Sequence, residues 1–364
     1  MPVISDFMNQ KTKYLLNIIG AFAIILIILY YVGITKVFDV LSKADPIFFI
    51  LAILAYLGVN AAMSARIYVV LKRLGYKIPF IAALKANFGG MLASDFTPAR
   101  SGYFLSAFLL SSSNTASNNF GMDSNSTKIK TSIPLDKCMV SIFAPQLFEF
   151  LIKILCTVLL VYLVLNNFGV FNGHELQIIV VFIIMIAAIL FFIALLFVQG
   201  LLEKFALMKK LGPGRKLYHL FYLMRGNSDN LLKEWPSILI TTLAAWALKG
   251  VEWYLLAASL GIMLGDPLYS LFFFLLFHSF ITFTQFLPLP TVAGAGTSEA
   301  VSAGILSLYG IPLEIGISFG FLTRAIMILV DAILGSSPIL SMLGKEKLQG
   351  VLQDIENIEH DAEA

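Results

Sequence analysis

The chain has 364 residues, of which 59% are hydrophobic and only 13% charged, and its mean hydropathy is +0.87. Soluble domains carry about 25% charged residues, so this chain has too little polar surface to face water. The formal net charge of +3 gives no reason to expect a nucleic-acid partner, and two cysteines, Cys138 and Cys156, supply neither a disulfide framework nor a metal set. The composition predicts an all-α polytopic membrane protein.

Eight hydrophobic segments follow one another along the chain: 15–32, 47–71, 80–112, 138–165, 176–199, 237–262, 268–309 and 313–340. A crossing of about 30 Å takes roughly 20 helical residues. The run from Leu15 leads straight into further apolar segments without a small-residue cleavage site, which argues against a signal peptide. The third and seventh segments are each broken by a Pro/Gly/polar patch, Asp95 to Gly102 and Leu287 to Gly296. Irregular backbone at membrane depth is tolerated only where protein or a watery cavity satisfies it. The arm after each break is also too short to span comfortably. Two re-entrant helical hairpins, 80–112 and 268–309, and about six spanning helices fit best.

Lysine and arginine fix the expected sidedness. Basic residues precede the first span and follow the second, third, fifth and last segments, whereas 166–176 and 262–267 contain none and 33–46 has only Lys36 and Lys43. This distribution places both termini in the cytoplasm, with the first hairpin entering from inside and the second from outside. Residues 1–168 then contribute three crossings, and 169–344 repeat the same order upside down: an inverted repeat, with sites expected where the repeats meet. A flexible Ser/Asn-rich loop is expected over 111–136, and an acidic cytoplasmic tail over 345–364. The Asn125-Ser-Thr127 triplet reads as a chance sequon on an inside loop.

Ionisable side chains within spans are costly and mark sites by default. Arg66 and Lys85 lie near a membrane face and can snorkel. Glu149 and Lys153 at i,i+4, and Lys249 and Glu252 at i,i+3, can each neutralise one another on one helix face. His278 reads as a packed, hydrogen-bonded residue, and Asp331 has Arg324 two turns away. Arg100 and Glu299 occupy the breaks themselves. Thr97 as N-cap with Pro98 at the first helical position predicts a helix start there, aiming a positive dipole end and Arg100 at a phosphate. Glu299 falls in the first turn after Thr297 or Ser298, where it either caps its own helix or meets a cation or proton.

At these two breaks the sequence resembles a known family. Leu-Lys-Arg-Leu-Gly75, Phe-Thr-Pro-Ala-Arg-Ser-Gly102, Leu-Pro-Leu-Pro-Thr-Val-Ala-Gly-Ala-Gly-Thr-Ser-Glu299 and Leu-Thr-Arg324 are similar to the flippase-like membrane domain of lysylphosphatidylglycerol synthases. Three positions depart from that pattern: Tyr103 stands where the family usually has Glu, Val292-Ala293-Gly294 replaces Pro-Gly-Gly, and Pro145-Gln-Leu-Phe-Glu149 keeps the acid but lacks a neighbouring arginine. The aminoacyl-transferase domain is not in this sequence. The resemblance implies a flippase in the cell membrane that moves a phospholipid or glycolipid with a charged headgroup between leaflets. The residues expected to bind it are Arg66, Asp95, Thr97, Pro98, Arg100, Gly102, Glu149, Lys153, Lys249, Glu252, Pro290, Gly294, Gly296, Glu299 and Arg324. No cofactor is implied; the partners are membrane lipids and a lipid-modifying or glycosyltransferase enzyme. The alternative is an integral-membrane enzyme, or a partner subunit of one, in lipid-linked glycosyl or phosphoryl transfer. No Asp-x-Asp motif or soluble catalytic domain supports that alternative, and Gly212-Pro-Gly-Arg-Lys216 lacks the ending of a P-loop.

Overall fold

The computed structural model describes residues 33–112, 133–167, 224–285 and 294–342, with scattered positions between 180 and 222. Among these residues all regular structure is helical. In chain order they form α1 (Ile34–Ser42), α2 (Pro46–Arg73), α3 (Phe80–Asp95), a 3-10 segment (Pro98–Phe104), α4 (Leu105–Ser112) and α5 (Leu135–Asn167). The short α6 (Ser228–Lys233), α7 (Trp235–Ser259), α8 (Pro267–Gln285), α9 (Thr297–Leu308) and α10 (Leu313–Met342) follow. α2, α5 and α10 are each long and apolar enough to cross a membrane.

The distribution of side chains is that of a protein solvated by lipid. Ile47, Leu54, Ile240, Leu268, Ile333 and Leu340 face outward, while Arg66, Asp95, Glu252, Glu299 and Asp331 are buried. Exposed apolar residues meet no penalty in hydrocarbon, whereas unsatisfied polar groups do, so the charges turn inward. The chain is therefore membrane-embedded.

Helix ends follow local chemistry. Asp45 caps α2 by accepting from Ile47 N at 2.8 Å, with Pro46 behind it at the first helical position. Lys72 and Arg73 end the same helix, where cations suit the dipole. Segment 33–46, read from sequence as a connecting stretch, instead forms α1, whose Val37 packs with Ala303 and Ile317 against α9 and α10.

Each broken segment folds back on itself. α3 and α4 run antiparallel: Gly89 faces Leu109, Gly90 faces Ser106, and Gly102 lies against the backbone of Ala93 and Ser94. In the second, Gly294 lies against Gln285 and the Phe273 and Tyr309 rings meet at 5.0 Å. The first break differs from the expected helix start. Thr97 Oγ1 caps no first-turn amide; it donates to Ala93 O at 3.1 Å and accepts from Gly102 N at 2.6 Å. The segment after Pro98 is 3-10, and α4 begins only at Leu105. The hydroxyl is occupied in closing the turn, so the turn tightens before a regular helix resumes.

The packing partners are reciprocal. α2 packs on α7, α3 on α2 and α10, and α8 on α7 and α5, while α4 meets α5 as α9 meets α10. Exchanging α2–α5 with α7–α10 reproduces each of these contacts, and α4 packs on α10 besides. Segments 15–32 and 345–364 lie outside the described residues, as do most of the 111–136 loop and of 176–199.

Candidate functional site

Glycines let the helices cross closely, Gly58 of α2 meeting Leu248 of α7, Gly250 of α7 meeting Leu275 of α8 and Gly335 of α10 meeting Phe88 of α3, while α5 packs on α2 and α8. Between them lies a cavity of about 270 Å³. Its walls are mainly apolar and aromatic, with Tyr103, Phe143, Phe150 and Trp246 among them, and Arg100, Glu149, Lys153, Lys249 and His278 also face it.

The charges around it form separate groups. Glu149 on α5 accepts from Arg66 Nη1 on α2 at 2.9 Å and pairs with Lys153 one turn along at 2.6 Å. Arg66 also reaches Thr242 on α7 at 3.3 Å. The expected self-pairing of Glu149 and Lys153 thus forms, but a second cation joins it. Arg66 does not snorkel to a membrane face, since it is buried at 1% exposure beside its carboxylate. Lys249 donates to Glu252 at 2.8 Å and sits 4.6 Å from the centre of the Tyr56 ring, so this i,i+3 pair is also made.

Arg100 occupies the first break with a φ of 55°, in the left-handed region. This conformation turns its side chain back onto α3, where Nη2 donates to Asp95 Oδ1 at 3.0 Å, while Nη1 reaches Gln285 on α8 at 3.4 Å. Arg100 therefore ties the first break to the end of α8 next to the second. Gly102 is demanded here by space, because a Cβ would stand 2.7 Å from Ser94 N.

Glu299 and Arg324 form a group of their own, away from the cavity walls. Glu299 Oε2 accepts from Gly296 N at 2.8 Å and from Ser298 Oγ at 2.9 Å, and its Oε1 accepts from Arg324 Nε at 2.5 Å. Glu299 thus caps α9 and pairs with Arg324 of α10. Gly294 and Gly296 have φ of 72° and 82°, and the Gly294 carbonyl accepts from Thr297 and Ser298. Pro290 lies outside the described residues. Asp331 does not reach Arg324; Tyr56 OH donates to its Oδ2 at 2.7 Å. His278 is packed as expected, between the Trp246 and Trp253 rings with Phe274 O and Ser279 as polar neighbours.

A family model described as the lysylphosphatidylglycerol synthase TM region matches residues 18–335. The chain belongs to this family. No curated protein and no solved structure matches it. For a member of the lysylphosphatidylglycerol synthase TM family, the match encloses both breaks and every charge described above.

Uncharged polar residues complete the family member's interior, and of these Asn60 and Asn87 were not singled out from sequence. Tyr103 OH donates to Asn87 Oδ1 at 2.9 Å, and Asn87 Nδ2 donates to Asn60 Oδ1 at 2.8 Å. Asn60 in turn donates to the Tyr56 carbonyl at 3.1 Å. The signal was available: asparagine inside an apolar span needs a partner for the same reason that a charge does. Tyr103, at the position where the family usually has Glu, here supplies a neutral donor to that string.

Proposed function

We propose that the protein moves a lipid with a charged headgroup between leaflets, the headgroup passing through the cavity beside Arg100, Glu149, Lys153 and Lys249. An ion of carboxylate size costs on the order of 20 kcal/mol to transfer from water to a medium like hydrocarbon. A headgroup therefore crosses only where fixed charges and dipoles replace its water. The observation that carries the reading is the meeting of these four charged side chains on one mainly apolar cavity. Its apolar walls suit acyl chains and its charged residues suit a phosphate and a counter-charge. Arg100 Nε is buried without an acceptor among the described residues, which suits an anionic group.

The reciprocal helix packing supports two repeats, 1–168 and 169–344, of opposite orientation. In this reading the α3–α4 and α8–α9 pairs are hairpins entering from opposite faces, and both termini are cytoplasmic. Rocking of the repeats about the α2–α7 contact exposes the cavity to each leaflet in turn. Glu299 and Arg324 hold α9 to α10 and carry the outer hairpin as one body.

The test is reconstitution of the purified chain into liposomes with fluorescent phosphatidylglycerol, phosphatidylethanolamine and phosphatidylcholine. Wild type is expected to translocate with a headgroup preference, and Arg100→Ala and Lys153→Ala to lose it. Translocation no faster than in empty vesicles, or equal in all three proteins, rejects the reading.

A further inference from the structure

Asp95 closes α3, Asp331 lies mid-way along α10, and both are buried, at 4% and 0% exposure. Each carboxyl has one oxygen engaged. Asp95 Oδ1 accepts from Arg100 at 3.0 Å and Asp331 Oδ2 accepts from Tyr56 OH at 2.7 Å. The remaining oxygens, Asp95 Oδ2 and Asp331 Oδ1, are buried and accept nothing among the described residues. The two carboxyls nevertheless face each other across α3 and α10, Asp95 one turn after Leu92 and Asp331 one turn before Gly335. Close helix packing enforces this approach: Gly335, one turn beyond Asp331, lies directly against the Phe88 carbonyl and Leu92 of α3.

Two carboxylates in contact away from water cannot both stay ionised. A proton between them turns two orphaned acceptors into a donor and an acceptor.

The surrounding charges do not neutralise two anions. Arg100 faces the pair from the 3-10 segment and Tyr56 from α2. From α7, Lys249 and Glu252 lie beyond the Tyr56 ring and pair with each other. From α9, Glu299 is held by Arg324 of α10 itself. α4 has no titratable residue, and Lys85 lies toward the start of α3, exposed. α1 packs at the Ile317 end of α10, where its Asp39 and Lys43 pair with each other. One guanidinium thus serves two carboxyls.

We propose that Asp95 and Asp331 hold one proton between them, and that this proton is taken up and released in step with an anionic headgroup at Arg100. The coupling rests on the transport reading above; the proton pair does not. A phosphate that engages Arg100 draws the guanidinium off Asp95, and the carboxyl pair then holds its proton more firmly. Loss of the proton recruits Arg100 back to Asp95 and releases the phosphate. Linkage is reciprocal, so protonation strengthens headgroup binding by the same factor, roughly 5–150-fold. Only a proton moves, between water and the pair, and no covalent bond of the lipid changes.

Infrared difference spectra of the full chain in phosphatidylglycerol–phosphatidylethanolamine vesicles, recorded through a pH titration, read the pair directly. The expected result is a buried protonated-carboxyl band at neutral pH that is lost in Asp331→Asn and equally in Asp95→Asn. Two variants are used so that one failing to fold leaves the other as the test. No such band in wild type, or a band kept in both variants, overturns the pair whether or not lipid moves. A band governed by sodium in place of pH overturns it as well. In the same vesicles, translocation of fluorescent phosphatidylglycerol is expected to change about tenfold with pH in wild type and to lose that dependence in Asp331→Asn. Translocation that ignores pH overturns the coupling and keeps the transport reading. No translocation at any pH rejects transport and the coupling with it, and the proton pair then stands or falls by its band.

Discussion

Arg66 on α2 donates to Glu149 on α5 at 2.9 Å, and this contact spans 83 residues of sequence inside the membrane-embedded body. Arg66 is buried and Glu149 faces the cavity. The pair therefore links α2, which packs on α7, to a wall of the cavity. Breaking a buried ion pair by removing one partner leaves a charge stranded and costs about 3–5 kcal/mol. Glu149 keeps Lys153, so Arg66→Met is expected to fall at the lower end, about 3 kcal/mol. Arg66→Met combined with Glu149→Gln should cost clearly less than the two single changes added. Unfolding in detergent micelles followed through a double-mutant cycle reads this, and strict additivity would contradict the contact.

Lys249 and Glu252 give a sharper case. Glu252 is completely buried, and the cation that serves it is a single lysine one turn back. Lys249→Met leaves that carboxylate uncompensated and also removes the cation from the Tyr56 ring. The expected loss is about 3–5 kcal/mol, with most of it recovered when Glu252→Gln is added. Thermal stability of the three proteins by fluorescence-detected gel filtration decides it; a double variant no better than Lys249→Met alone would be the contrary result.

These pairs also mark how far the sequence could be read. Segment limits were legible, since 47–71, 138–165 and 313–340 match α2, α5 and α10 to within a few residues. The i,i+3 and i,i+4 pairs were legible because one helix fixes both partners. Partners on different helices were not. Arg66 with Glu149, Tyr56 with Asp331 and Arg100 with Gln285 depend on how each helix is rotated about its axis. A helix apolar on every side has no stripe to reveal that rotation. Asp331 accordingly had no adjacent partner in the sequence, only Arg324 two turns away, when the tyrosine that donates to it lies 275 residues away. The turn at Thr97 failed for a local reason: the hydroxyl that suggested a helix cap is used to close the break instead.

Glu299 serves two ends, and substitutions can separate them. Glu299→Gln keeps an oxygen for Gly296 N but loses the charge that holds Arg324. Glu299→Ala loses both. A hydrogen bond to a charged group contributes about 1.5–3 kcal/mol and a helix cap about 1 kcal/mol. The order of stability should therefore be wild type, then Glu299→Gln, then Glu299→Ala, with about 1 kcal/mol between the variants. Chemical denaturation in micelles measures the series; equal values for Gln and Ala would show that the cap contributes nothing.

Gly335 tests the crossing on which the buried carboxyl pair depends. A Cβ there would fall 2.8 Å from the Phe88 carbonyl carbon and 3.1 Å from Leu92 Cβ, so α3 and α10 must separate to admit it. Gly335→Ala should cost about 1–3 kcal/mol through overpacking, even though alanine is the better helix former by about 1 kcal/mol. The sign of the change is the informative part, because the two effects oppose each other. An exposed helical glycine such as Gly304, with open space around its would-be Cβ, is the control and should gain stability on the same substitution. Melting temperatures of Gly335→Ala and Gly304→Ala moving in the same direction would refute the tight crossing. Opposite shifts, with the infrared carboxyl band weakened only in Gly335→Ala, would tie the spacing of α3 and α10 to the contact between Asp95 and Asp331.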